Sequence, residues 1–212
     1  MQRKQIILYY FHDPMCSWCW GFSAVFSQLT KRLPDIIEVK RVLGGLATDT
    51  DEPMPDDMAT YVKGNWQKIE EKIPSVKFNF EFWDKCQPRR STYPGCRAVI
   101  AAREQGEQYD VLMTTAIQKA YYKEARNPSD IETLINLASE LEMNMDKFNE
   151  DLRSEEIKQK LMSEIDFTRH MYIESFPSLV LDVNGKHISI VIDYNYCQPM
   201  LDFINLKIES VN

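Results

Sequence analysis

The sequence predicts an α/β fold in which one small sheet is interrupted by a large all-helical insertion. Three observations predict it. An apolar run, Ile6-Ile7-Leu8-Tyr9-Tyr10-Phe11, leads into Cys16-Ser17-Trp18-Cys19 at the start of a helical pattern. A second run, Ile36 to Leu43, alternates at its centre, so strand, helix and strand form a βαβ unit whose crossover should be right-handed. From about residue 56 to about residue 172 the periodicity is helical with no clear strand, and a hairpin signal and a last helix follow.

Each element has a local reason. After Cys19, apolar residues at Phe22, Val25, Phe26, Leu29 and Leu33 mark one helix face, and Pro34 stops the helix. Gly44-Gly45 closes the second strand, and Asp49 to Asp57 reads as a polar, proline-punctuated linker. Arg97 to Glu104 reads as a short helix with a small-residue face and Gly106 as its stop. Asp110 is expected to cap a helix to about Glu124, and Ser129 or Asp130 the next one, whose stripe is Ile131, Leu134, Ile135, Ala138 and Leu141. Asp146 is expected to start a short helix and Ser154 a long one. Asn184-Gly185 is a two-residue hairpin signal between a strand after Pro177 and a return strand, His187 to Ile192. A final helix is expected from about Gln198 to Ile208. The hairpin should complete the sheet begun at residues 5–11 and 36–43, which divides the chain into a domain of residues 1–52 and 166–212 and an insertion of residues 53–165.

Composition narrows the function. The chain has 212 residues, 44% hydrophobic content and a net charge of −7, which argues against a nucleic-acid groove. No run reaches the ~18 apolar residues of a membrane span. Met1 to Gln5 is basic but lacks the apolar core of a leader, so a cytoplasmic location is expected. Five cysteines, unevenly spaced, do not form a disulfide framework.

The close cysteine pair has three readings. A zinc knuckle needs further ligands, but Cys86, Cys96 and Cys197 do not repeat the spacing and His12, His170 and His187 have no paired spacing, so no metal is expected. Two buried structural thiols are the second reading, with Met15, Trp18 and Trp20 as core. The third is redox chemistry. A helix N-terminus favours a thiolate, which makes Cys16 the exposed nucleophile and Cys19 the resolving thiol one turn inward. Such a pair beside a βαβ unit is a thioredoxin-like signature.

The stretch Asp13-Pro14-Met15-Cys16-Ser17-Trp18-Cys19-Trp20-Gly21-Phe22 resembles the active site of DsbA-like members of the thioredoxin superfamily, closest to FrnE-like proteins and cytosolic protein disulfide isomerases. The likeness extends to Tyr93 to Arg103 and to Ser175-Phe176-Pro177-Ser178-Leu179. It implies a thioredoxin-like fold with the helical insertion, and thiol–disulfide exchange with Cys16, Cys19 and Pro177 as catalytic residues. The residues alone leave Pro177 open between a trans proline starting an edge strand and a cis proline; the resemblance implies cis. It also implies substrate pairing with the backbone of Phe176, beside Ser175. Trp18 and Trp20 could each line a substrate groove or pack as core; Trp18, between the cysteines, is read as the groove residue and Trp20 as core. No bound cofactor is implied, with glutathione as a potential co-substrate and protein or small-molecule disulfides as partners. No nucleic acid or membrane partner is expected, and no interface is marked. Ser17-Trp18 replaces the Pro-His of periplasmic DsbA proteins, which implies a milder oxidant.

Other residues carry a sharp and a bland reading. Asp13 would oppose thiolate formation if close to it, and His12 would assist if protonated. Cys96 could exchange with the pair or pack as a small apolar group, and Cys86 and Cys197 read as packing residues. Arg89, Arg90 and Arg97 could hold an acidic substrate or pair with surface carboxylates. Trp66, Phe78, Phe80, Phe82 and Trp83 could seal the insertion or expose a binding surface. Two other functions stay open: a glutathione-dependent transferase or isomerase, resembling kappa-class glutathione transferases and hydroxychromene-carboxylate isomerases, and a non-catalytic peptide-binding module. The first usually keeps serine where Cys16 stands.

Overall fold

The computed structural model describes residues 6–209. Residues 1–5, and with them the basic start and the first residue of the expected strand, lie outside the described residues. Strand β1 (Ile6–His12) pairs in parallel with β2 (Ile37–Leu43), from Ile6 opposite Ile37 to His12 opposite Leu43. Helix α1 (Ser17–Thr30) is the crossover. On its other side β1 pairs antiparallel with β3 (Ser178–Val183), and β3 with β4 (Lys186–Ile190), giving the order β2-β1-β3-β4. Asn184 and Gly185 join β3 to β4 with φ of 54° and 85°, the left-handed pair that a tight hairpin turn requires.

Alternation in β1 assigns the two faces. Ile6, Leu8 and Tyr10 point to a core shared with Phe22, Phe26 and Leu29 of α1 and Met200, Leu201 and Ile204 of the last helix, α9 (Gln198–Glu209). Phe11, with Val42 and Val180, points the other way, where Phe167 packs. The fold is therefore a thioredoxin-like sheet covered on both faces, with a large helical insertion between β2 and β3.

The insertion contributes α2 (Asp56–Lys72), α3 (Phe82–Lys85), α4 (Tyr93–Arg103), α5 (Gln108–Lys123), α6 (Ile131–Glu140), α7 (Met145–Arg153) and α8 (Glu155–His170). Trp66 is its centre, wholly buried, with Phe78 stacked at 4.9 Å and Tyr121 and Tyr122 edge-on at 5.4 Å. The aromatic segment is thus mainly the insertion's own core, and Trp20 of α1 joins it by stacking on Tyr122 at 5.8 Å. Helix α8 runs unbroken through residues 165 and 166. Ile157, Leu161 and Ile165 lie in the insertion core and Phe167 against the sheet.

Several local expectations are corrected. Helix α4 begins four residues earlier than Arg97, with Pro94 in its first turn, where a missing N–H costs nothing. The cap of α7 is Asn144, whose side chain accepts from Lys147 N at 3.0 Å, rather than Asp146. Ser154 does cap α8, accepting from Ile157 N at 3.1 Å. Asp110 is not a cap. It is turned inward and buried, where it takes Arg41 of β2 and Arg103 of α4, and Arg103 also reaches Glu164 of α8 at 2.6 Å. Glu164 in turn accepts from Leu43 N at 2.6 Å. This chain of charges ties the sheet edge to three insertion helices.

His12 lies beside that cluster, wholly buried and stacked on Tyr10 at 4.8 Å, with neither ring nitrogen hydrogen-bonded. Burial first, then the charges of Arg41 and Arg103, hold its pKa well below the ordinary 6.5. It therefore stays neutral and supplies no imidazolium. The unfolded chain binds a proton at His12 below pH 6.5 that the folded chain refuses, so stability falls as pH drops below that value. The loss should reach about 1.4 kcal/mol per pH unit. Asp13 and Glu164, both shifted upward, act with the opposite sign. Urea unfolding of the wild type and of His12→Phe at several pH values isolates the histidine. The variant should lose the slope, and identical slopes would refute the assignment.

Candidate active site

The turn between β1 and α1 places the dithiol. Cys16 N donates to the Asp13 carbonyl at 3.1 Å, and Cys16 is the N-cap of α1, with φ −81° and ψ 117°. Its side chain caps nothing, so the first-turn amides remain available to an anionic sulfur. The Cys16 thiol donates instead to the Phe176 carbonyl at 3.4 Å. Cys16 is only 6% exposed, not the open nucleophile that its position suggested, because the Phe176 backbone lies over the sulfur. Cys19 is fully buried one turn inward, and all five cysteines are free thiols. Burial above all, then the hydrogen bond to Cys16 and the charges of Cys16 and Asp13, push the Cys19 thiol well above its ordinary range. The two sulfurs are therefore unequal: one at a helix mouth, the other held protonated.

Asp13 joins three segments beneath this turn. Its carboxylate accepts from Met15 N at 2.8 Å, Leu46 N at 2.8 Å and the Thr92 hydroxyl at 2.7 Å, with the Cys96 thiol at 3.5 Å. Burial raises its pKa against the lowering effect of those donors. Cys96 is buried, and its thiol is raised well above the ordinary range by burial and then by the Asp13 charge.

Pro177 lies at the start of β3, and the Phe176–Pro177 peptide bond is cis. The tip of the Phe176 ring packs against Gly44, where an added Cβ would sit 1.8 Å from its Cζ, so any larger residue would displace the ring. Ser175 is exposed, and its carbonyl accepts from the Ser178 hydroxyl at 2.8 Å. Trp18 is half-buried beside the dithiol, edge-on to Tyr194 at 5.2 Å.

Two residues of this site carry no sequence signal. Tyr194 stands beyond β4, in a turn held by Asp193, which accepts from Asn195 N and Tyr196 N. Burial, then the charges of Cys19 and Cys16, raise its hydroxyl well above 10. Lys72, the last residue of α2, sets its ammonium 5.0 Å from the Tyr194 ring centroid and 5.5 Å from that of Trp18. Both are reached only through tertiary packing, which no local pattern reports.

The arginines take their bland reading in two cases. Arg97 forms a two-pronged pair with Asp49 at 2.8 Å, and Arg89 reaches Asp130 and the Ser129 carbonyl. Among the described residues no three His, Cys, Asp or Glu side chains converge as a metal centre requires, and no helix is long and apolar enough to cross a membrane.

The fold superposes on a candidate protein disulfide isomerase from Nitrosomonas europaea with a TM-score of 0.84, at 24% identity, covering 98% of this chain and 100% of that one. It superposes on the cytosolic disulfide reductase DsbM from Pseudomonas aeruginosa with a TM-score of 0.78, at 20% identity, covering 96% and 99%. Among curated proteins it resembles the ClpXP adapter protein SpxH of Bacillus subtilis, 21% identical over 185 residues and 87% of this chain. The chain spans 60% of that relative's length, and 72% of the length of the Bacillus cereus SpxH, to which it is 24% identical. Residues 9–198 match the family model Thioredoxin_5, described as thioredoxin, and the chain belongs to that family.

Proposed function

We propose that this chain is a thiol–disulfide oxidoreductase that reduces or isomerises disulfides in the cytoplasm. The asymmetry of the two thiols carries the reading: Cys16 at the α1 mouth, 3.4 Å from the Phe176 carbonyl, and Cys19 fully buried one turn inward. Cys16 as thiolate attacks one sulfur of a substrate disulfide, forming a mixed disulfide and releasing the other sulfur as thiol. Cys19 then gives up its proton and attacks the Cys16 sulfur, so the second substrate thiol leaves and Cys16–Cys19 is oxidised. Two glutathione thiols restore the dithiol and become glutathione disulfide. Phe176, Ser175 and Trp18 frame the approach, with the Phe176 backbone placed to pair with an extended substrate and Pro177 fixing the loop beside it. The likeness to a cytosolic reductase, one structure of which was solved with GSH, supports both compartment and co-substrate.

The test is the Cys16–Cys19 reduction potential, read by alkylation and mass spectrometry in graded glutathione buffers. A two-electron transition near ~−270 mV fits a reductase and one near ~−180 mV an isomerase. If only a Cys16–glutathione adduct forms, the exchange reading fails and a glutathione-dependent transferase leads. A second reading rests on the SpxH relatives, whose name is that of a protease adapter: a protein-binding module that uses the same cleft without turnover. Partner capture that survives Cys16→Ser, with no disulfide turnover by the wild type, would favour it.

A further inference from the structure

We propose that Lys72 and Tyr194, set against Trp18, form a carboxylate-receiving site beside the dithiol, so that the favoured substrates are disulfides with a carboxylate close to the S–S bond. The inference rests on the exchange function above and names its substrate class. The Lys72 ammonium stands over two aromatic rings, 5.0 Å from the Tyr194 centroid and 5.5 Å from the Trp18 centroid. Ring faces attract and position a cation but accept none of its three N–H bonds in the manner of a carboxylate. Among the described residues Lys72 has no carboxylate partner, whereas Arg89, Arg97, Arg103 and Arg126 are each paired.

The position is as telling as the charge. Trp18 lies between the two cysteines, so a cation on its ring lies within a short peptide's reach of the Cys16 sulfur. Lys72 also borders a groove of about 460 Å³ that runs past Tyr194 to Pro199 and Phe203. The other charge lining that groove, Asp193, already accepts two backbone amides, which leaves Lys72 as the cationic donor there. The phenol of Tyr194, held protonated well above pH 10, supplies a second donor beside it. A pre-placed ammonium and a phenol beside a reactive sulfur suit the carboxylate of glutathione disulfide or of an acidic residue flanking a peptide cystine.

Two matched pairs separate these sources: glutathione disulfide against its carboxyl ester, and a cystine peptide with Asp against Asn next to the cysteine. The readout is the ratio of kcat/KM within each pair. The wild type should favour the carboxylate member of at least one pair about threefold to tenfold, less at high salt. Lys72→Gln should bring that ratio to about one by losing rate on the acidic member. Tyr194→Phe should lower it in part. Equal rates within both pairs for the wild type, or equal losses on acid and neutral members in Lys72→Gln, would overturn the proposal. Neutral dithiodipyridine serves as control: if the wild type fails to reduce it, the exchange function has failed, which is a different result from a missing preference.

Discussion

Cys16→Ser should abolish disulfide exchange, by at least about a thousandfold in kcat/KM. A serine hydroxyl at the α1 N-terminus stays protonated at neutral pH and cannot displace a sulfur, whereas the thiol there has the helix amides to support its anion. The fold should survive, because oxygen replaces sulfur at a site whose side-chain bonds, a 3.4 Å donation to Phe176 O and the hydrogen bond with Cys19, a hydroxyl can also make. Cys19→Ser should fail differently. The first attack proceeds, but nothing releases the mixed disulfide, so substrate accumulates on Cys16. Mass spectrometry under non-reducing conditions reads that adduct directly, alongside an insulin-reduction rate. Full activity in Cys16→Ser, or an adduct on Cys19 rather than Cys16, would sink the assignment. The buried, protonated Cys19 thiol makes the resolving step the one that needs proton removal.

What was legible in the sequence was local. A proline two residues before Cys16, the helix face from Phe22 onward and the Asn184-Gly185 turn each follow from short-range rules, and together they build the strand, helix and hairpin that carry the dithiol. What was not legible depends on which side chains meet across the fold. Asp110 has the type and place of a helix cap, yet two arginines from β2 and α4 draw it inside. The exposure expected of Cys16 failed because residue 176 lies over it, 160 positions away. Lys72 and Tyr194 meet at Trp18 only because the insertion folds back beside α1 and the loop after β4 returns beneath it. Charge in a solvated pattern looks the same in sequence whether it ends on a carboxylate or on a ring.

Asp13→Ala should destabilise the protein by roughly 2–4 kcal/mol, the largest stability effect expected from one side chain near the site. The carboxylate is fully buried and is the acceptor for Met15 N, Leu46 N and the Thr92 hydroxyl. Alanine leaves the buried Met15 amide without an acceptor, at about 1–3 kcal/mol, and the Thr92 hydroxyl with only its 3.3 Å bond to the Ala47 carbonyl, while the Leu46 amide can turn to water. Asp13→Asn should lose less, since its amide oxygen still accepts and the buried charge is gone. The pH dependence gives a sharper test. Burial raises the folded pKa of this carboxyl above its ordinary value, so its contribution is fully present below the unfolded pKa of 3.8 and declines as pH rises through the folded value. The penalty of Asp13→Ala should therefore be larger under mildly acidic conditions than at neutral pH. Urea unfolding of wild type, alanine and asparagine variants across that range measures it. A penalty below about 1 kcal/mol would show that the three segments meeting at Asp13 are held together by packing, and one that grows toward neutral pH would show that the donors outweigh burial and lower its pKa instead.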